Sequence, residues 1–118
     1  MAAIRLVHSD TLSCEPVVRR MNDGSLLMAA QCGDTYEPAP RNRVYYFHSY
    51  DDGDTWSTPV SIYPEDGNAV YCTEVAVFGD RVVAYLTVHN GQFFNWRSVM
   101  MSSTDCGHTW VNEGAFPG

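Results

Sequence analysis

The stretch that decides the fold is Ser49-Tyr50-Asp51-Asp52-Gly53-Asp54-Thr55-Trp56. It follows the pattern Ser-x-Asp-x-Gly-x-Thr-Trp, and that pattern returns 54 positions later as Ser103-Thr104-Asp105-Cys106-Gly107-His108-Thr109-Trp110. Five defined positions that match twice at one offset indicate an internal structural repeat. The sequence therefore predicts two copies of one structural unit.

Each copy of the pattern predicts a tight hairpin turn. An aspartate such as Asp51 can fold its carboxylate back onto backbone N–H groups of its own turn, and Gly53 supplies the backbone freedom that the turn needs. The closing tryptophan offers a large apolar surface for packing between sheets. We therefore assign a structural role, rather than a catalytic one, to ten residues: Ser49, Asp51, Gly53, Thr55, Trp56, Ser103, Asp105, Gly107, Thr109 and Trp110.

The segments around the two turns have the composition of β-strands and are bounded by turn-forming residues. In the first unit we predict strands over 15–21, 25–31, 44–48 and 56–63, with a hairpin turn at 22–24. In the second unit we predict strands over 73–78, 81–88, 99–101 and 110–116, and a further strand over 4–8 precedes both units. The sequence thus predicts an all-β chain of two four-stranded antiparallel meanders.

A repeated unit of four strands in roughly 50 residues is typical of the blades of a β-propeller. One blade cannot bury both faces of its own sheet and needs a neighbour on each side. Because propellers close with typically about four to eight blades, two are too few. We predict a partial propeller with an N-terminal strand segment at 1–12, one blade at 13–64 and a second blade at 65–118.

The charge balance excludes some partners. Fourteen acidic residues stand against seven arginines and no lysine in 118 residues, which gives a formal net charge of −7. Such a surface repels nucleic-acid phosphates and disfavours anionic membranes, so we predict neither as a partner. No apolar stretch reaches the ~18 residues that a membrane-spanning helix needs. The first residues lack a signal-peptide pattern, and the compartment stays open.

The cysteines do not predict a metal site. Cys14, Cys32, Cys72 and Cys106 contain no closely spaced pair of the kind that binds zinc. Free thiols and at least one disulfide both remain open. No motif in the chain predicts a metal ion or an organic cofactor.

The double Ser-x-Asp-x-Gly-x-Thr-Trp pattern resembles the Asp-box (BNR) repeat of the sialidase superfamily, and the stretch 16–28 is similar to the one that opens the first blade there. The resemblance covers nearly the whole chain. It implies a six-bladed propeller with a sugar site at the end of the central channel that lies away from the Asp boxes.

The resemblance also implies catalytic positions, which we carried over one by one. In sialidases three arginines hold the substrate carboxylate, a tyrosine paired with a glutamate is the nucleophile, and an aspartate is the acid/base. Two of the arginine positions correspond here to Cys14 and to the stretch 31–34, where no arginine stands. Asp34 is the aspartate nearest to the acid/base position, and the nucleophile belongs to later blades.

Strand topology predicts where a site would lie without reference to any family. In a four-stranded meander, the Asp-box turns lie at one edge, and the loops that follow the second and fourth strands lie at the other. These longer loops carry carboxylates, amides and aromatic rings, which together suit a sugar site. We predict Asp34 and Glu15 as candidate catalytic residues and the following as candidate substrate-binding residues: Arg20, Arg41, Tyr71, Glu74, His89 and Trp96.

Each candidate has a structural alternative. Glu15 and Glu74 open equivalent strands and could instead be solvated or paired acids. Adjacent Arg19 and Arg20 point to opposite faces of a strand, so one could pair with an acid in the sheet. Trp96 could form a contact between blades, and His89 could be an ordinary loop histidine.

Three functions follow from these observations. The chain could be part of a sialidase-like glycoside hydrolase that contributes two blades. It could instead assemble as a homo-oligomer, with a trimer closing a six-bladed ring that acts as a lectin-like binding module. A non-sialidase glycosidase or polysaccharide lyase built on the same propeller is a third reading. Carbohydrate recognition is the theme that all three share, and catalysis by this chain stays open.

Overall fold

The computed structural model describes residues 13–33, 42–64, 68–89 and 97–115. They form two four-stranded antiparallel sheets, ordered β1-β2-β3-β4 and β5-β6-β7-β8. The strands are β1 (Ser13–Arg20), β2 (Leu26–Cys32), β3 (Arg43–Ser49), β4 (Val60–Ser61), β5 (Ala69–Phe78), β6 (Arg81–His89), β7 (Arg97–Ser103) and β8 (Val111–Ala115). This confirms the prediction of an all-β chain with antiparallel sheets; the predicted strand at 4–8 lies outside the described residues.

The connections between strands define two edges of the sheets. The turn edge carries the turns at 21–25, 50–59, 79–80 and 104–110, and the loop edge is the opposite one, where β2, β4 and β6 end and β3, β5 and β7 begin. At the turn edge the first hairpin is fixed by Asp23, whose carboxylate accepts the Ser25 N–H at 2.9 Å and the Ser25 hydroxyl at 2.6 Å. The resulting register pairs Arg20 with Leu26.

Two strands begin four residues away from their predicted starts, whereas the others differ by one or two residues at an end, as β7 does at 97–103 against the predicted 99–101. The strand predicted over 56–63 is reduced to β4. Ser57 and His48 make one backbone bond, from the Ser57 N–H to the His48 carbonyl at 2.8 Å, but the His48 N–H donates to Ser57 Oγ at 2.8 Å instead of to a backbone carbonyl. Pro59 follows and has no N–H to donate to a ladder. In contrast, β5 begins at Ala69, four residues before its predicted start at 73, with a register shift between Cys72 and Glu74. Tyr71 therefore lies in a strand, where a linking loop was predicted.

The main core lies between the two sheets. Buried apolar residues from both sheets form one cluster that includes Leu27, Val44, Val75, Leu86 and Met101. On the other face of the first sheet a second cluster contains Met28, Ala30, Cys32 and Phe47, with Tyr45 and Trp56 against it. Side chains on both faces of β2 are thus buried, which explains why its sequence is apolar without a clean alternation.

No helix occurs among the residues that the structure describes, and so none there is long and apolar enough to cross a membrane. The sheets are joined by polar bonds as well as by the core. Val70 N–H donates to the Asn42 carbonyl at 3.0 Å, and Arg19 Nε donates to the Val75 carbonyl at 3.0 Å. These bonds hold the turn edges of both sheets on one side and the loop edges on the other.

Candidate functional site

The two repeat turns, residues 49–56 and 103–110, share one hydrogen-bond pattern. In the second turn Asp105 accepts the Thr109 N–H at 2.9 Å and the Thr109 hydroxyl at 2.6 Å. Ser103 Oγ donates to Asp105 at 2.6 Å and accepts the Gly107 N–H at 2.9 Å, and the Trp110 indole donates to the Gly107 carbonyl at 3.0 Å. The first turn makes each of these contacts at the positions 54 lower.

These hydrogen bonds favour the ionised form of both turn aspartates. Bonds from Thr55 and Ser49 lower the pKa of Asp51 to about 2. Bonds from Ser103 and Thr109 hold the pKa of Asp105 well below its ordinary range. A carboxylate that already accepts hydrogen bonds from several donors of its own turn has little capacity for proton transfer. Both aspartates therefore act as hydrogen-bond acceptors that hold their turns together.

The turns also need unusual backbone conformations. Two consecutive residues have positive φ in each turn: Asp52 (63°) and Gly53 (94°) in the first, and Cys106 (61°) and Gly107 (84°) in the second. A Cβ on Gly107 would lie 3.2 Å from a methyl carbon of Leu27. Glycine is therefore required there both by its dihedral angle and by the close approach of the first sheet.

An aromatic-walled cleft of about 380 Å³ lies where the second repeat turn meets the first sheet. Its walls include Tyr46, Tyr63 and Trp110. The Tyr46 and Trp110 rings have their centroids 6.0 Å apart and are tilted by 59°. The Tyr46 hydroxyl also donates to the His108 carbonyl at 3.2 Å, which links the first sheet to the second repeat turn beside this cleft.

The loop edge brings polar side chains together around Tyr71. The Tyr71 hydroxyl donates to Asn42 Oδ1 at 3.2 Å, and Asn42 Nδ2 donates to the Gly33 carbonyl at 2.9 Å. Asn42 is fully buried. Asn42 therefore connects the end of β2 to Tyr71 of β5 and fixes the position of the half-buried Tyr71 hydroxyl.

His89 and Arg43 complete this group. The His89 ring packs edge-on against Tyr71, with centroids 4.7 Å apart and planes at 75°. Burial lowers the pKa of His89, which favours the neutral imidazole. Buried Arg43 donates to the carbonyls of Asn42, at 3.1 Å, and of Asn68, which ties β3 to the start of β5. We call Asn42, Arg43, Tyr71 and His89 the loop-edge cluster.

Of the predicted site residues whose side chains the structure describes, Tyr71 and His89 are the two that lie together. Glu74 lies in β5 and pairs with Arg19 of β1 at 2.7 Å, with about half of its side chain exposed. Its pKa is lowered, first by the Val75 N–H and also by Arg19. Arg20 lies at the turn edge, where it pairs with Asp52 at 2.7 Å and donates to the Gly24 carbonyl at 2.9 Å.

The remaining site predictions cannot be placed. Asp34, Arg41 and Trp96 lie outside the described residues, and of Glu15 the structure describes only the backbone, in β1. Their assignment as catalytic or substrate-binding residues stays a prediction.

Sequence reasoning missed two members of the loop-edge cluster, Asn42 and Arg43. A signal was present for Arg43, because a charged residue that opens an apolar strand is rarely buried without dedicated partners. No comparable signal marked Asn42, whose neighbours come from two distant parts of the chain, Gly33 and Tyr71.

Cys72 and Cys106 are free thiols in the structure. Burial raises the pKa of Cys72 to about 11, which makes it a poor nucleophile or metal ligand. In the described part of the chain, no group of three or more His, Cys, Asp or Glu side chains is arranged to hold a metal ion.

The chain thus belongs to the all-β class: two four-stranded meanders pack against each other, and polar side chains cluster at the edge opposite the repeat turns. No family model matches the chain, and no curated protein matches it significantly. Among solved structures it is similar to the "Hadza microbial sialidase Hz136", with a TM-score of 0.64 and 17% sequence identity. The alignment covers 86% of this chain and 24% of the sialidase chain, so this chain spans about a quarter of that length. The likeness shows a sialidase-like fold and no more.

Proposed function

We propose that the chain forms two consecutive blades of a sialidase-like six-bladed propeller and that its loop edge takes part in carbohydrate recognition. The observation that carries this proposal is the loop-edge cluster, which lies opposite the repeat turns in a chain whose fold resembles part of a sialidase. Its polar atoms are of the kind that recognise sugar hydroxyls.

Tyr71 is the group of this cluster that can touch a ligand, because it is half-buried whereas Asn42 and His89 are buried. Its hydroxyl donates to Asn42, and a phenolic oxygen has lone pairs that can accept a bond from a sugar hydroxyl. Asn42 and His89 act as positioning residues, since they fix the hydroxyl and the ring of Tyr71. A preorganised contact of this kind limits the entropy that binding costs.

Glycan binding by matched tyrosine variants tests this proposal. The parent chain is screened on an array of sialylated and neutral glycans, and the affinity of the best glycan is then measured for Tyr71→Phe and Tyr50→Phe. Loss of one hydrogen bond at Tyr71 should weaken binding by about 5- to 10-fold. Tyr50→Phe removes the same atom at the turn edge and should bind like the parent. Equal affinities for all three proteins, or no binding to any glycan, would refute the proposal.

A second candidate is self-assembly into a lectin-like ring. The observation in its favour is that the Trp56 turn has the same geometry as the Trp110 turn, which contacts the first sheet through Tyr46. A second copy could present its sheet to Trp56 in the same way, and three copies would close six blades. Light scattering on a gel-filtration column would give about three times the 13.2 kDa chain mass for such a trimer. A monomer at all concentrations would exclude it.

A further inference from the structure

Two histidines stack on each other where the second repeat turn meets the first sheet. The rings of His48, in β3, and His108, in the second repeat turn, have centroids 4.1 Å apart and are within 10° of parallel. Tyr50 extends the stack: its ring is nearly parallel to that of His108, and its hydroxyl lies 2.9 Å from His108 Nε2. The stack joins the sheets directly, since its two imidazoles come from different repeats.

A hydrogen bond sets the orientation of the buried ring. His48 Nε2 lies 2.9 Å from the Cys106 carbonyl, and because a carbonyl can only accept, Nε2 must carry the proton. His48 is 5% exposed, whereas His108 is exposed. At neutral pH the pair therefore offers a stacking contact together with one bond from the first sheet to the second repeat turn.

We propose that the His48–His108 stack is a pH-responsive contact, which holds the second repeat turn on the first sheet at neutral pH and loosens when the solution is acidified. Protonation of His48 would add a positive charge to a buried ring whose centroid lies 4.1 Å from that of a second imidazole, in a site that solvates the charge poorly. The site lies at the turn edge, and the proposal does not depend on carbohydrate binding at the loop edge.

The charged and titratable groups around the stack come from four elements, one of which is the first repeat turn with Tyr50. Asp23 lies in the β1–β2 hairpin, Asp105 and Cys106 lie in the second repeat turn, and Tyr46 lies with His48 in β3. Burial is the largest influence and lowers the pKa of His48, while His108 acts in the same direction. The Cys106 carbonyl and the two aspartates act in the opposite direction and are outweighed.

The sign of the effect follows from the lowered pKa. A histidine whose folded-state pKa lies below its unfolded value binds fewer protons when folded. The stability that it contributes is complete above the unfolded pKa of about 6.5 and falls as the pH drops through that value. The stability that the contact contributes should therefore begin to fall as the pH drops below about 6.5, and the fall should continue until the pH has passed the lowered folded-state pKa of His48.

A double-mutant cycle at two pH values tests the proposal. His48→Gln keeps an amide donor for the Cys106 carbonyl but cannot be protonated, and His108→Gln removes the other ring. Urea unfolding of the parent, both single variants and the double variant gives the coupling between the two positions. At pH 7.5 we expect a favourable coupling between the two positions. Expressed as a ratio of unfolding equilibrium constants, this coupling should be smaller by about threefold or more at pH 5.5. A coupling that is the same at both pH values would overturn the proposal.

His89→Gln is the matched control, because His89 is also buried with a lowered pKa but lies at the loop edge. Its coupling to His108→Gln should be negligible at both pH values. If His48→Gln does not fold, His108→Gln alone still decides the question. It should be less stable than the parent at pH 7.5, and the difference should shrink or reverse at pH 5.5; a constant difference would refute the proposal.

Discussion

At the residue scale, the two repeat turns show how a short pattern specifies a structure. The Asp105 carboxylate accepts hydrogen bonds from several donors of its own turn, and Gly107 has a φ of 84° and donates its N–H to Ser103 Oγ. Each of these roles could be predicted from residue type, because turn aspartates and glycines act through local geometry. What the sequence could not predict is that the second turn also supplies partners to another sheet, as the bond between His48 and the Cys106 carbonyl shows.

Removal of the turn carboxylate should destabilise the chain. Asp105→Asn keeps one acceptor oxygen but loses the charge and the hydrogen bonding of the second oxygen. We therefore expect the free energy of unfolding to fall by about 1–2 kcal/mol. This is less than the bond count suggests, because the turn is solvent-exposed. Urea unfolding at pH 7 measures the change. Asp80→Asn, at the exposed turn between β5 and β6, is the control and should cost under about 0.5 kcal/mol; equal losses would contradict this account.

Acid should weaken the turns in a lower pH window than the histidine contact. The folded-state pKa of Asp51 is about 2, below the ordinary value of about 3.9. Its contribution to stability is therefore present above the unfolded pKa and is lost as the pH falls from about 4 towards 2. The urea midpoint should fall across this window, and Asp51→Asn should show a shallower fall. An identical pH dependence in both proteins would show that Asp51 is not responsible.

At the element scale, the strands could be predicted where local composition decides them, and their bounds were missed where contacts with a neighbouring strand decide them. The composition of β2 and β6 indicated strands directly. The shortness of β4 could not be foreseen, because it depends on the Ser57 hydroxyl taking the place of a backbone acceptor for His48. The early start of β5 depends on its pairing with β6, where Ala69 lies opposite His89 and Cys72 opposite Leu86.

The packing of the second repeat turn against β2 gives a test at this scale. Gly107→Ala would force both a strained positive φ and a contact of about 3.2 Å with Leu27. Gly24→Ala has an equally positive φ of 89° but nothing within 4 Å of its Cβ. We expect Gly107→Ala to be the less stable variant by about 1–3 kcal/mol in urea unfolding. Equal losses of stability in the two variants would mean that backbone strain alone accounts for them and that the second repeat turn does not lie against Leu27 as closely as described.

At the scale of the whole molecule, the sequence predicted which edge carries polar groups better than it predicted which residues meet there. Strand order alone places Tyr71 and His89 at the loop edge, and the structure brings these two together. Glu74 instead pairs with Arg19, and Arg20 pairs with Asp52. Their pairing could not be predicted because it depends on how the two sheets, and the turn beside β1, approach in space.

Asn42 and Arg43 show the same limit. Both are buried, and both bond to parts of the chain that are remote in sequence. A single sequence shows residue types and local periodicity, but it does not show which long-range neighbours satisfy a buried polar group. The loop-edge cluster therefore had to be found in three dimensions.

The measurement that tests the central claim most directly is an amide NMR map of the chain titrated with N-acetylneuraminic acid and, separately, with the best glycan from the array. The account predicts the largest shift changes at the loop edge, around Asn42, Tyr71 and His89, and none at the repeat turns. Changes concentrated at the repeat turns, or no saturable changes with either sugar, would contradict the assignment of the loop edge as a carbohydrate-recognition surface.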